Sequence, residues 1–344
     1  EGRQWCKCGD GSESEGDGGR TGSGRPASHR NVRAGDVGHR DLNTSAGRGK
    51  SGRVAEATAV NANGDLTYTP AADANGLAVV TLNIMDNGGT ANGGDDTSPD
   101  QTFTINVTAV NDEPSFTKGA DETVLEDAGA QTVNGWATAL SKGPADEDGQ
   151  TLSFNITGNS NPGLFSATPV VNANGDLTYT LVADANGSAV VTLNIMDNGG
   201  TANGGDDTSP DQTFTINVTA VNDEPLFTKG ADETVLEDAG AQTVNGWATA
   251  LSTGPADEVS QTLSFNITGN SNPGLFSTAP AVNASGDLTY TPAADANGSA
   301  VVTLNIMDNG GTANGGDDTS PDQTFTINVN SINDPPVTTD DKYN

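Results

Sequence analysis

The chain has 344 residues, with 46 Asp and Glu against 14 Lys and Arg, for a formal net charge of −32. Such a surface repels nucleic acid and anionic lipid and draws divalent cations. Hydrophobic residues make up 33% and aromatics 5%, a composition shared by disordered chains and by small sandwiches rich in Thr, Asn, Asp and Gly.

Residues 1–53 stand apart. They hold ten of the fourteen Lys and Arg, both His and both Cys, with no apolar periodicity, so disorder is predicted there. This stretch also has the length of a portion missing from the repeat that follows, as if repeat DNA were read in a shifted frame. Cys6, Cys8, His29 and His39 receive no role, because a lone C-x-C without partners is a weak metal signal. From Val54 onward there is no Arg, His or Cys, and the remainder carries a charge of about −35. Disulfides, thiolate metal sites and Cys catalysis are thereby excluded from that part. No apolar run reaches 18 residues, so no transmembrane segment is predicted. The chain opens on Glu1 rather than Met and is read as a fragment.

A repeat of 111 residues dominates the rest: Trp136 recurs as Trp247, and Asp112 as Asp223 and Asp334. The repeat divides the chain into a C-terminal half (54–110), two whole units (111–221 and 222–332) and the start of another (333–344). Within 111–221, ETVLED starts a first strand near Thr123, and QTVNGWATAL follows with Val133 and Trp136 as core anchors. QTLSFNITG alternates Leu152, Phe154 and Ile156 with polar residues; LFSATPVV and DLTYTLV flank the hairpin turn NANG. AVVTLNIMD presents Val191, Leu193 and Ile195, and QTFTINVTAV presents Phe214, Ile216 and Val218. NGGTANGGDD reads as a long hairpin loop. Seven short strands without a helical period predict an all-β fold, tandem seven-stranded Greek-key β-sandwiches.

Acids cluster at strand ends and unit boundaries: VLEDAG, ADEDGQ, ADANG, IMDNGG and AVNDEP. Calcium takes six to eight oxygens from carboxylates, amides and carbonyls on Gly-rich loops. Alternation along an extended segment would put Asp146 and Asp148 on one side, within reach of one ion. Isolated acids such as Asp121, Asp206 and Asp211 read as solvated or turn-forming.

With these motifs the unit resembles a cadherin-like domain of the kind found in tandem in large bacterial surface proteins. The resemblance covers residues 54–344. It implies interdomain calcium held by a first-strand Glu (Glu126, Glu237), an Asp before the sixth strand (Asp73, Asp184) and an x-N-D-x-P linker (Asn111 and Asp112, Asn222 and Asp223). It also implies a D-x-D loop (Asp146 and Asp148, or Asp257 with Val259) and a last loop (Asp86, Asp197, Asp308). ADANG offers one Asp where the family has Asp-Arg-Glu, and Val259 cannot ligate. The junction at 111 has lost its first-strand Glu to the foreign segment. Fewer or weaker ions than in an intact array are therefore expected.

These readings predict an extracellular, calcium-binding stalk of a cell-surface adhesin, with Ca2+ as cofactor, rather than an enzyme. No His or Cys is present in the repeats, and duplicated acid sets suit a lengthened material better than one active site. Partners are calcium and, through other regions, cell-surface proteins or glycans, with homophilic contact open. The alternatives are a glycan- or protein-binding module, which needs an exposed aromatic platform, and a passive spacer without calcium. Trp136 and Trp247 read as core residues rather than adhesive anchors. The sequons at Asn106, Asn155, Asn217 and Asn266 follow from alternating strand Thr.

Overall fold

Alternating Thr, Val, Ile and Phe segments broken by Asn, Asp and Gly form β-strands throughout the computed structural model, which describes residues 41–46, 54–61 and 63–334. Two compact units divide at Thr108 and Ala109. Among the described residues no helix is long and apolar enough to cross a membrane.

The first unit holds β1 (Asp41–Ala46), β2 (Val54–Val60), β3 (Leu66–Pro70), β4 (Gly76–Met85) and β5 (Gln101–Val107). Strands β1, β4 and β5 form one antiparallel sheet, and β2 and β3 a hairpin. One strand, at 41–46, falls within the stretch 1–53. It pairs along β4, Asp41 opposite Met85 and Ala46 opposite Val80. An unpaired ladder on a sheet edge accepts any compatible extended segment. Asn43 pairs with Asn83 there, as Asn155 pairs with Asn194 in the following repeat. The remainder of 1–53 lies outside the described residues. Val80 and Ile105 are buried, while Leu77 and Val79 are exposed.

The second unit contains two sandwiches of the same design. The first uses β6 (Ser115–Thr117), β7 (Glu122–Leu125), β8 (Ala130–Val133), β9 (Thr138–Ser141), β10 (Ser153–Asn159), β11 (Phe165–Val171), β12 (Leu177–Leu181), β13 (Gly187–Met196) and β14 (Gln212–Thr219). One sheet runs β10-β13-β14-β7 and the facing one β11-β12-β8, with β6 and β9 paired beside them. All pairings are antiparallel except β7 with β14, which run parallel from Glu122↔Ile216 to Leu125↔Thr219. The second sandwich repeats this order with β15 (Leu226–Thr228), β16 (Glu233–Leu236), β17 (Gln242–Val244), β18 (Thr249–Ser252), β19 (Ser264–Asn270), β20 (Phe276–Val282), β21 (Leu288–Pro292), β22 (Gly298–Met307) and β23 (Gln323–Asn330).

The all-β expectation holds, and two strands are finer than the sequence indicated. QTVNGWATAL splits into β8 and β9 because Gly135 takes φ 61°, a left-handed bend that a glycine adopts freely. Its N–H donates to Asp176 Oδ1 at 2.8 Å, which fixes the break. The freed β9 pairs with β6.

Period-two alternation decides the core. Leu177, Ala189, Val191, Leu193, Ile195 and Ile216 are fully buried, and Trp136 packs on Phe214 with ring centroids 4.4 Å apart. Trp136 Nε1 donates to Ala120 O at 3.0 Å, so its polar atom is satisfied inside. Trp247 and Phe325 repeat the pair at 4.4 Å. NANG makes its hairpin through Asn172 Oδ1, which accepts the N–H groups of Asn174 and Asp176 at 2.9 and 3.0 Å. NGGTANGGDD is the long β13–β14 connection, closed by a bridge between Met196 and Thr208.

Candidate metal centre

Acid-bearing turns at the end of one sandwich meet the linker and the opening turns of the next. Strand β7 ends in a 3-10 turn at Glu126–Ala128, which points Glu126 inward. Glu126 is 1% exposed, and both its oxygens are engaged. Oε1 accepts the Val221 N–H at 2.6 Å, and Oε2 accepts Asn186 Nδ2 at 3.0 Å. Asp184 occupies the turn between β12 and β13 with φ 57°, a conformation Asp tolerates better than most residues.

Asp223 sits in the linker at the middle of this group. Burial pushes its carboxyl above the ordinary value, and the charges of Asp127, Asp184, Glu126 and Asp257 push it in the same direction. Asp257 belongs to the following repeat, and Asn186 reaches it: Nδ2 donates to Asp257 Oδ2 at 2.6 Å. Of the residues expected at this junction, Glu126, Asp184, Asp223 and Asp257 therefore lie together. Asp127, which the motif comparison did not single out, joins them.

The same arrangement closes the second sandwich. Carboxylate oxygens of Asp238, Asp295 and Asp334, all exposed, lie within 4.8 Å of one another. These are Asp127, Asp184 and Asp223 displaced by one period. Burial and then Asp238, Asp295 and Glu237 raise the Asp334 carboxyl. Glu237, 3% exposed, repeats Glu126 by accepting the Ile332 N–H at 2.8 Å and Asn297 Nδ2 at 3.0 Å.

Asn222 and Asp308 occupy a neighbouring, more interior place. Asn222 Nδ2 donates to Asp308 Oδ1 at 3.1 Å and to Asp317 O at 2.7 Å, and its Oδ1 accepts Gln261 Nε2 at 2.7 Å. Asn111 does the same with Asp197, Asp206 and Gln150 at 3.0, 2.6 and 2.6 Å. A Cβ on Gly310 would overlap the Asn222 and Gln261 amides, so only glycine permits this cross-link.

The D-x-D loop departs from the expected extended form. Ala145–Glu147 is a 3-10 turn, closed by Glu147 N–H donating to Pro144 O at 3.0 Å. It turns Glu147 inward and leaves Asp146 and Asp148 exposed. Alternation does not apply to a three-residue-per-turn coil, so the middle acid is the buried one. Glu258 repeats this in the next unit, beside Asp257, and Val259 is 75% exposed. Glu147 and Glu258 were not expected from the motifs; Pro144 and Pro255, three residues before them, are the signal that could have indicated a turn.

Glu147 Oε1 accepts the Asp112 N–H at 2.7 Å, and Glu258 Oε1 accepts that of Asp223 at 2.8 Å. Burial first, and then the surrounding Asp charges, raise both carboxyls despite those N–H bonds. The second oxygen of each, with Oδ2 of Asp197 and Asp308, is buried without a hydrogen-bond partner. Buried, unpaired anionic oxygens are costly and are normally compensated by a cation or a proton. An oxygen-only donor set of this kind suits a hard divalent cation such as calcium.

In the first unit, Asp73 lies exposed in a turn at φ 57°, and exposed Asp86 caps its own loop by accepting the Gly88 N–H at 2.8 Å.

No protein-family model matches the chain, and no curated protein matches it. Several solved cadherin ectodomains are similar to it. Mouse protocadherin-24 EC1-3 is 15% identical, with 84% of this chain and 90% of that one covered at a TM-score of 0.40. Mouse cadherin-23 EC22-24 is 18% identical, with 86% and 87% covered at 0.44. The human desmocollin-1 ectodomain is 15% identical, with 86% and 55% covered at 0.33. The chain is thus similar, in its succession of β-sandwiches, to cadherin ectodomain repeats.

Proposed function

We propose that this chain is part of an extracellular stalk whose successive sandwiches are stiffened by calcium at their seams. The supporting observation is the gathering of Glu126, Asp127 and Asp184 with linker Asp223 and the next repeat's Asp257 at one seam. Five anionic groups in that space repel one another, and a divalent cation converts the repulsion into a bridge between repeats. Glu126, Asp127, Asp184, Asp223 and Asp257 would hold the seam ion. Asp238, Asp295 and Asp334, with Glu237 behind them, would hold the next. Glu258 and Asp308, tied to the linker residues Asp223 and Asn222, would face the seam ion through their unpaired oxygens. The cation would supply charge neutralisation and directional cross-linking, and no chemical step is assigned to the protein.

In this reading the stalk belongs to a bacterial-type surface adhesin, and contacts with other surface proteins, glycans or like chains are made elsewhere. A glycan-binding role for the two sandwiches of the second unit is disfavoured, because Trp136, Trp247, Tyr179 and Tyr290 are all buried. The test is a calorimetric calcium titration, with melting temperature and hydrodynamic radius followed in calcium and in EDTA. Calcium should raise the first and stabilise an extended form. Identical values in both conditions would leave only a passive spacer.

A further inference from the structure

Asn186 hydrogen-bonds carboxylates on both sides of the seam. Its Nδ2 lies 3.0 Å from Glu126 Oε2 in its own repeat and 2.6 Å from Asp257 Oδ2 in the following one. A primary amide carries two N–H donors, and here both are committed to acids. Two like charges are thereby held around one neutral nitrogen. The side chain is well placed for this. Ala185, next to it, packs against the core, and Ala185 N–H closes the turn onto Val182 O at 3.3 Å. Asn297, one period later, makes the equivalent bond to Glu237 at 3.0 Å. The bond to Asp257 is thus the added, inter-repeat element.

We propose that Asn186 is a positioning residue: an amide latch that keeps the seam in register when no cation is bound, and that yields to a cation by turning its oxygen toward it. The first half follows from the two hydrogen bonds. Hydrogen bonds to charged acceptors are stronger than neutral ones, and this pair spans the linker. The second half rests on the calcium reading. An N–H donor and a metal ion compete for the same oxygen lone pairs, so an entering ion must displace the amide nitrogen. Rotation about the terminal side-chain bond exchanges Nδ2 for Oδ1 without moving the backbone, and the latch becomes a ligand. A carboxylate in its place could ligate but could not latch, since it has no donor.

The experiment measures hydrogen exchange of the linker amides of Val221 and Asp223, which donate to Glu126 and Glu258 and so report on the seam. The full chain is compared with Asn186→Ala, Asn186→Asp and, as control, Asn297→Ala, each in EDTA and in calcium. Amides of β13, deep in the sandwich, monitor whether each variant stays folded. In EDTA, Asn186→Ala should speed linker exchange by about tenfold, the size expected for losing hydrogen bonds to charged acceptors, and Asn297→Ala should leave those two amides unchanged. Calcium should restore protection in Asn186→Ala, and Asn186→Asp should be less protected than the parent in EDTA but bind calcium more tightly. Unchanged linker exchange in Asn186→Ala with EDTA overturns the latch, whatever calcium does. Loss of protection in that variant, with no response of the parent chain to calcium, upholds the latch and overturns the calcium reading instead.

Discussion

The carboxylate of Glu258 holds the backbone of Asp223, accepting its N–H through Oε1 at 2.8 Å. The interior turn of a repeat is thereby tied to the linker that precedes it. The other oxygen, Oε2, is buried and unpaired, as is Oδ2 of Asp308. Glu258→Gln keeps the acceptor, removes the charge and adds a donor for Asp308. We expect the metal-free protein to gain about 1 kcal/mol. The rise in melting temperature caused by calcium should shrink at the same time. Scanning calorimetry in EDTA and in calcium measures both; a variant less stable than its parent in EDTA would contradict this account of the buried charge.

Acidity should act on the metal-free chain with a definite sign. Glu147 and Glu258 are raised above 4.5 and Asp223 above 3.8, in each case chiefly by burial. Stability from a raised acid is fully present below its unfolded value and is lost as pH rises through the folded one. Asp176 and Asp287 behave oppositely. Hydrogen bonds from Asn172 and Gly135, and from Asn283 and Gly246, lower them below 3.8. Their contribution is present above that value and fades below it. In EDTA the melting temperature should therefore climb as falling pH protonates the raised carboxyls, then drop as Asp176 and Asp287 become protonated in turn. In calcium the climb should vanish, because protons and cation compete for the same oxygens. Differential scanning fluorimetry across this range, with and without calcium, tests both.

Asp257 and Val259 share one loop but stand differently at the seam, and a pair of variants separates their roles. Motif matching makes Val259 the defect of its seam. In the structure Val259 is 75% exposed, and Asp257 is the residue that Asn186 contacts. Asp257→Ala should weaken calcium binding at least about tenfold, in the range seen for lost charged contacts, whereas Val259→Asp should change it little. Isothermal titration of each variant against the parent chain gives the comparison, and a large gain from Val259→Asp would restore the motif reading.

The tyrosines of the two sandwiches offer an independent check on the core. Tyr179 and Tyr290 are buried and pushed up to about 12, by desolvation first and then by Glu122 or Glu233. A raised phenol contributes stability below its unfolded value that is lost as pH rises toward the folded one. Ultraviolet titration should show these two ionising near pH 12, close to alkaline unfolding. Ionisation near pH 10 in the folded chain would mean the rings are not enclosed.

Trp136 links the faces of its sandwich through Phe214. Trp136→Ala should cost about 3–5 kcal/mol. Urea unfolding followed by hydrogen exchange of the β13 and β14 amides would read this as an earlier transition of that sandwich, while the one built on Trp247 unfolds as before.

How much of this was legible depended on periodicity. Val191, Leu193 and Ile195, alternating with Thr192 and Asn194, could only be a strand with one face inside, and Trp136 fell at its centre. The seam was half legible. Glu126, Asp184, Asp223 and Asp257 could be named because the resemblance to cadherin-like repeats implies ligands at those positions. Glu258 was missed because a rule for extended chains was applied to a 3-10 turn, in which the residue between two exposed positions faces inward. Asn186 was passed over because a neutral amide gives no charge signal; only the position of Asp257 across the seam reveals what it does. The strand at 41–46 was invisible because its pairing is set by the free edge of β4, not by its own composition.

The parallel pairing of β7 with β14, and of β16 with β23, has a mechanical consequence. After the short β6 or β15, the chain runs into one of these strands, and it leaves the sandwich on the other, in the same direction. Tension along the array therefore slides the two past each other, and the rungs from Glu122 to Leu125 strain in concert. An antiparallel pair pulled from one end would peel rung by rung. Each sandwich is thus strung so that traction on its ends meets its backbone ladder in shear, the geometry best able to withstand it.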